Sequence, residues 1–395
     1  MHSTKYQAQS SKYQAQSTKY QAQSSKYQAQ SSKYQAQSSK YQAQSTKYQA
    51  QSTKYPAPWF LIIAFALSAT FWQSTAAPEP RSPASTSAEP RIVRLDPRFD
   101  RLVPKDAVIE KIADGFSWVE GPVWNRSGKF LLFSDVPNNR IVKWKQDEGP
   151  SDFLTRSGYT GAATFQGREP GSNGLAFDSE GRLVFCQHGD RRISRLENDG
   201  HRTTLASDYL GKRINSPNDV IFKSNGDMYF TDPPFGLPKS FADPAREVDF
   251  CGVYRVNKDG KVELLTKEVL APNGIAFSPD EKTLIVSDSK RTLWLAFDVR
   301  KDGTLSKSRV VFDGKQMSNG KPGVADGLKI DASGNIFGAA PGGIYVIAPD
   351  GTLLGVFDFG VATGNCAWGE DGSTLFIASN TAVYRVRLTT KGAGF

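Results

Sequence analysis

Asn273-Gly-Ile-Ala-Phe-Ser-Pro-Asp-Glu-Lys-Thr-Leu-Ile-Val-Ser-Asp288 reads as two short strands folded about a polar turn. Ile275 to Phe277 and Leu284 to Val286 are apolar, while Ser278-Pro-Asp-Glu281 supplies the residue types that set turn backbone angles. The pattern returns in NRSGKFLLFSD from Asn125, DSEGRLVFCQH from Asp178, KSNGDMYFTD from Lys223, DASGNIFGAA from Asp331 and GEDGSTLFIAS from Gly369. Six hairpins of one kind imply six repeats.

Each hairpin is entered by a strand that opens on a polar residue: Glu120 in EGPVW, Asn173 in NGLAF, Asn218 in NDVIF, Asn273 in NGIAF, Asp326 in DGLKI and Asn365 in GNCAW. These positions are spaced by 53, 45, 55, 53 and 39 residues, the size of a four-stranded propeller blade. Third strands such as RIVKW and GVYRV follow, and fourth strands follow Asp-Gly turns, as in DGKVELLT. The expected fold is all-β, a six-bladed β-propeller over residues 104–390. Its sixth unit runs out at Leu388 one strand short, and Ala107–Ile112 is the strand expected to close the ring, leaving no open sheet edge. The period is too long for a β-helix coil, and no long segment has the 3.6-residue apolar period of a helix.

Upstream, residues 1–55 form a low-complexity tail in which the unit [ST]-[ST]-K-Y-Q-A-Q recurs seven times and once more in degraded form. The unit lacks the two apolar positions of a coiled-coil heptad, so a disordered polar tail is expected, with a surface-binding tail as its functional alternative. Its eight lysines carry eight of the nine net positive charges, and the rest of the chain is close to neutral. That distribution excludes the basic face of a nucleic-acid-binding domain. Residues 56–77 contain an apolar run of about 14 residues, Trp59 to Trp72, followed by small residues. This is the pattern of a signal peptide, or of a membrane anchor if it is not cleaved, and it predicts a periplasmic or secreted protein that meets a membrane only in the second case. Residues 78–103, rich in Pro, Ser and Ala, read as a linker. Cys186, Cys251 and Cys366 have no C-x-x-C spacing, so they predict small buried residues with at most one disulfide.

In a propeller the innermost strand of each blade lines the central channel, so the six polar positions converge at one of its ends. Oxygen-bearing Glu, Asn and Asp side chains around one axis suit a hard cation such as calcium, which takes about 6 to 8 oxygen ligands. For any one of them, Asn-Gly or Asp-Gly is also an ordinary turn dipeptide. No G-x-S-x-G, H-E-x-x-H or G-x-G-x-x-G motif offers a competing chemistry.

EGPVW, NSPNDVIF, NGIAFSPDEKTLIVSD and ADGLKID together resemble the signature segments of the gluconolactonase and senescence-marker-protein (regucalcin) family, from about residue 104 to 388. QHGDRR, from Gln187 to Arg192, is similar to the bacterial gluconolactonase branch. The resemblance implies a lactonase holding one divalent metal ion on Glu120, Asn273 and Asp326, calcium before magnesium, manganese or zinc. It places Asn218 beside metal and substrate. The expected reaction is opening of a small lactone by a metal-polarised carbonyl and an activated water, with Asp326 as ligand and candidate general base. His188, Asn215, Asn173 and Arg192 (or its neighbour Arg191) are the residues expected to bind substrate hydroxyls. Two alternatives remain open: an arylesterase or organophosphatase pocket on the same metal, and a non-enzymatic sugar- or calcium-binding propeller.

Overall fold

The computed structural model describes residues 89–318 and 320–395. The repeat tail, the apolar run and the linker as far as residue 88 lie outside them. The described residues fold into six antiparallel sheets arranged as the blades of a propeller, with three short 3-10 turns and no α-helix among them. The inner strands are Val119–Asn125, Ser172–Phe177, Val220–Phe222, Pro272–Phe277, Leu328–Ile330 and Thr363–Gly369. Each starts a meander running outward through consecutive strands, as Pro272–Phe277, Thr283–Asp288, Leu293–Asp298 and Arg309–Asp313 do in the fourth blade.

Apolar residues on the blade faces pack against the next blade. Trp294 and Ala296 of the fourth blade meet Tyr345 and Ile347 of the fifth in one buried cluster. Between the sixth blade and the first, Phe376 stacks on Trp124 with centroids 5.3 Å apart. Stacked aromatics of this kind contribute about 0.5–1.5 kcal/mol beyond their area. In the sixth blade, Ala382–Arg387 pairs on its outer side with Glu110–Asp114, Glu110 opposite Arg385 and Asp114 opposite Ala382.

Composition assigns residues up to 103 to the linker, but ordered structure begins earlier. Arg91–Arg94 is a fifth strand on the fifth blade, pairing with Gly355–Asp358. The 3-10 turn Pro97–Arg101 then buries Phe99, with Leu102 and Val103, against the same blade. Asp96 caps that turn by accepting the Arg98 N–H. Three apolar side chains in seven residues are what anchor a segment that otherwise looks like linker. All three cysteines are buried free thiols.

Candidate active site

A second feature of the inner strands prepares the site. Where the first two strands of a blade pair, the register shifts between Glu120 and Val123, Ser172 and Leu175, Pro272 and Ile275, and Thr363 and Asn365. A bulge re-aims the side chain it contains, so Asn173 and Asn273 turn out of the sheet and into the channel mouth. Small residues follow them because neighbouring blades pass very close. A Cβ on Gly274 would stand 2.5 Å from the Asp326 carbonyl oxygen, and one on Gly364 would stand 2.4 Å from Glu120 Oε1.

Buried hydroxyls on the second strands tie the ring together. Ser134 Oγ donates to the Asn173 carbonyl at 2.9 Å, Thr231 Oγ1 to that of Asn273 at 2.7 Å, and Ser287 Oγ to that of Asp326 at 2.7 Å. Three blades thereby fix the backbone of the next blade's site residue.

Together these residues form a cavity of about 370 Å³ at the end of the channel where the inner strands begin. Its polar floor holds Glu120, Asn173, Asn218, Asn273 and Asp326. Asn365 lies beneath, its Nδ2 donating to Glu120 Oε2 at 3.4 Å. Glu120 also accepts from Trp118 Nε1 at 3.3 Å and from the Gly121 N–H at 3.1 Å. Asn273 commits its Nδ2 to Ser289 Oγ at 3.2 Å, which leaves its carbonyl oxygen for a ligand.

The electrostatics of this floor are those of a cation site without its charge. Burial pushes the Glu120 carboxyl up to about 7. Asp326 is pushed well above the usual carboxylate range, first by burial and then by repulsion from Glu120 and Glu169. Asn218 Oδ1 and Asp326 Oδ1 are buried with no hydrogen-bond partner. Unpaired acceptors are expensive in a protein interior, and a hard cation satisfies such oxygens. Two carboxylates and two amide oxygens, on the inner strands or just before them, fit calcium chemically. No three His, Cys, Asp or Glu side chains cluster among the described residues, so the amides are essential to the donor set.

Five of the eight residues read from the sequence thus share one cavity: Glu120, Asn173, Asn218, Asn273 and Asp326. Three of those read as substrate-binding, His188, Asn215 and Arg192, do not line it. Asn215 spends its side chain on the Asp232 and Phe250 carbonyls and on Arg246. Arg192 is held by Gln187 and Asp190. Arg191 is buried and braces the backbone at Ile214, Asn215 and Ala245. His188 is fully buried behind Glu169, its Nδ1 3.0 Å from Glu169 Oε2. Sequence reasoning missed the rest of the lining, including Trp118, Glu169, Phe235, Phe241, Ser289 and Lys290. These sit on connecting segments where no repeat marks them.

Comparison with known proteins places the chain in a family. The model of the SMP-30/Gluconolactonase/LRE-like region matches residues 118–381, and the chain belongs to that family. It is 40% identical over 341 residues to a gluconolactonase of Zymomonas mobilis, covering 84% of this chain and 95% of the relative. A pentonolactonase of Haloferax volcanii is 28% identical over 60% of this chain and 72% of its own length. Among solved structures, a gluconolactonase of Xanthomonas campestris superposes with a TM-score of 0.66 at 31% identity, over 75% of this chain and 94% of that one.

Proposed function

We propose that this lactonase opens small polyhydroxylated lactones of the gluconolactone type with the help of one divalent cation, calcium in the first instance, held by Glu120, Asn273 and Asp326. The observation that carries the reading is the pair of unpartnered buried oxygens, Asn218 Oδ1 and Asp326 Oδ1, in a cavity that already holds the buried Glu120 carboxyl. A cation bound there polarises the lactone carbonyl and makes a nearby water more acidic.

The chain's own residues do the rest. Asp326 and Glu120 supply the negative charge of the cage, and Trp118 Nε1 and the Gly121 N–H hold Glu120 in place. Asn218, bordering cation and substrate, orients substrate oxygens together with Asn173. The apolar wall of Trp118, Phe235, Ala271 and Val324 excludes water beside the reacting centre, which strengthens every polar interaction at the floor. Hydrolysis of glucono-1,5-lactone by protein stripped with chelator and then reloaded with calcium tests the reading. Turnover should fall at least about 100-fold on stripping and return on reloading. Full activity in the stripped protein would remove the metal; no turnover in either form would remove the lactone.

A second reading, an aryl-ester or organophosphate pocket on the same cation, is favoured by one observation: Phe235 and Phe241 pack edge to face at the mouth, 6.0 Å between centroids. The protein is proposed to act outside the cytoplasm, from the apolar run at Trp59–Trp72. Cell fractionation that finds the full-length chain in the cytosol contradicts this.

A further inference from the structure

We propose that Glu169 is the general base of lactone opening and that His188 is its positioning residue, an inference that rests on the lactonase reading above. Glu169 lies on the segment that crosses from the first blade, ending at Thr155, to the inner strand of the second, beginning at Ser172. It reaches the cavity from this connection and not from an inner strand, and its side chain is 34% exposed there.

The connection is held at both ends. Asn139 accepts the N–H groups of Gly158 and Tyr159 and donates to the Tyr159 carbonyl at 2.8 Å. Gln187 Nε2 donates to the carbonyls of Ser157 and Gly158, and Asp190 accepts from the backbone and hydroxyl of Thr160. At the far end the Gly171 N–H bonds the Val136 carbonyl. Pro170 follows Glu169 directly and restricts its backbone to the extended region. The carboxylate is therefore presented on a segment with little freedom, which is what a base must have if its geometry is to survive substrate binding.

Behind it stands His188, fully buried, its backbone N–H on the Gly171 carbonyl and its ring roofed by Gly236, where a Cβ would stand 2.4 Å from His188 Cβ. Its Nδ1 lies 3.0 Å from Glu169 Oε2, but neither ring nitrogen makes an aligned hydrogen bond. A buried imidazole with unmet hydrogen-bonding capacity beside one carboxylate gains by turning onto it. That contact fixes the rotamer of Glu169 and leaves its second oxygen, Oε1, for the cavity.

Glu169 does not join Glu120 and Asp326 as a third metal-binding carboxylate, since no such trio forms among the described residues. It lines the same cavity as they do, near enough to Asp326 to repel its charge. Asp326, as a ligand of the proposed cation, would be poorly placed to take a proton. In the step itself the attacking water gives one proton to Glu169 as its oxygen bonds the lactone carbonyl carbon, and the carbonyl π pair moves onto oxygen. Collapse of that adduct breaks the ring C–O bond, and Glu169 returns the proton to the departing ring oxygen. One water is consumed, and the product is the open hydroxy acid.

The test uses the calcium-loaded full chain. Glu169→Gln should lower kcat on glucono-1,5-lactone about 100- to 1,000-fold, with KM within about threefold, and with melting temperature and calcium affinity unchanged. Glu169→Gly should recover activity with added formate, which a purely structural role would not allow. His188→Leu should lower kcat about tenfold or more, His188→Asn should retain most of it because an amide N–H can still reach Glu169, and His188→Leu should cost nothing further in the Glu169→Gln background. A Glu169→Gln enzyme that keeps kcat within about threefold, or that loses only KM, overturns the assignment. Absence of turnover in the unaltered protein instead overturns the lactonase reading, so the two failures are told apart.

Discussion

Ser287 shows how a single hydroxyl can serve a cavity it does not line. It is fully buried at the end of the second strand of the fourth blade, and its Oγ donates to the Asp326 carbonyl at 2.7 Å. Ser287→Ala keeps the volume and deletes the bond, so stability should fall by about 1 kcal/mol. Calcium affinity should fall about 10-fold, as it does when outer-shell partners of ligands are removed. Urea unfolding and calorimetric titration measure the two, and unchanged affinity would mean that the sheet alone positions Asp326. Asp232 tests a different property of the same scale. Burial raises its pKa to about 7, and Oδ2 accepts the Asn215 N–H while Oδ1 has no partner, as suits a protonated carboxyl. The folded state then binds a proton that the unfolded chain has lost above about pH 4. This contribution to stability is complete below pH 4 and disappears as pH rises through 7. Melting temperature should therefore fall between pH 5 and 8, and Asp232→Asn should flatten that slope; an unchanged slope would show that Asp232 is ionised in the native protein.

Among the elements, Arg91–Arg94 and the turn after it make the least expected contribution. Phe99 is fully buried, its ring 5.9 Å from that of Phe357, so Phe99→Ala should cost about 3–5 kcal/mol. A chain beginning at residue 89 should melt like the whole protein, and one beginning at residue 106, lacking the strand and Phe99, should melt clearly lower. Equal melting of the two would make the strand an ornament of the fifth blade. Its absence from the sequence reading has a physical cause. Arg-Ile-Val-Arg is four residues long, lies in a Pro-rich stretch, and finds its partner at Gly355–Asp358, so nothing local announces it. The hairpins were legible because turn chemistry and alternation are local, and Glu120, Asn273 and Asp326 were legible because repetition put them in phase. Ser134, Thr231 and Ser287 stood in the repeated Ser-Asp and Thr-Asp endings of those hairpins, yet a hydroxyl bonded across blades shows no purpose within its own strand. His188, Asn215 and Arg192 lie outside the cavity lining, since polar character predicts a hydrogen bond but not whether the partner is substrate or backbone.

At the scale of the whole molecule, five of the six blades deliver a polar residue from the start of the inner strand to one floor, while the connections between blades build the wall above it and carry Glu169. The floor sets the reaction, and the wall of Trp118, Phe235, Phe241 and Val324 meets whatever the lactone carries. A sugar lactone suits both surfaces, because its hydroxyls can pair with Asn173 and Asn218 while its C–H face lies on an aromatic ring. An unsubstituted valerolactone leaves those buried amides unpaired, at about 1–3 kcal/mol for each lost partner. Phenyl acetate satisfies the wall alone. The kcat/KM for glucono-1,5-lactone should therefore exceed that for δ-valerolactone by about 100-fold, with phenyl acetate also well below the sugar lactone. Asn173→Ala should shrink the first ratio about 10-fold by slowing the sugar lactone alone, whereas Phe235→Ala should slow phenyl acetate most. Rates on valerolactone or phenyl acetate that equal or exceed those on the sugar lactone would transfer the site to the ester reading, because a floor of amides that no substrate hydroxyl needs could not have set the preference.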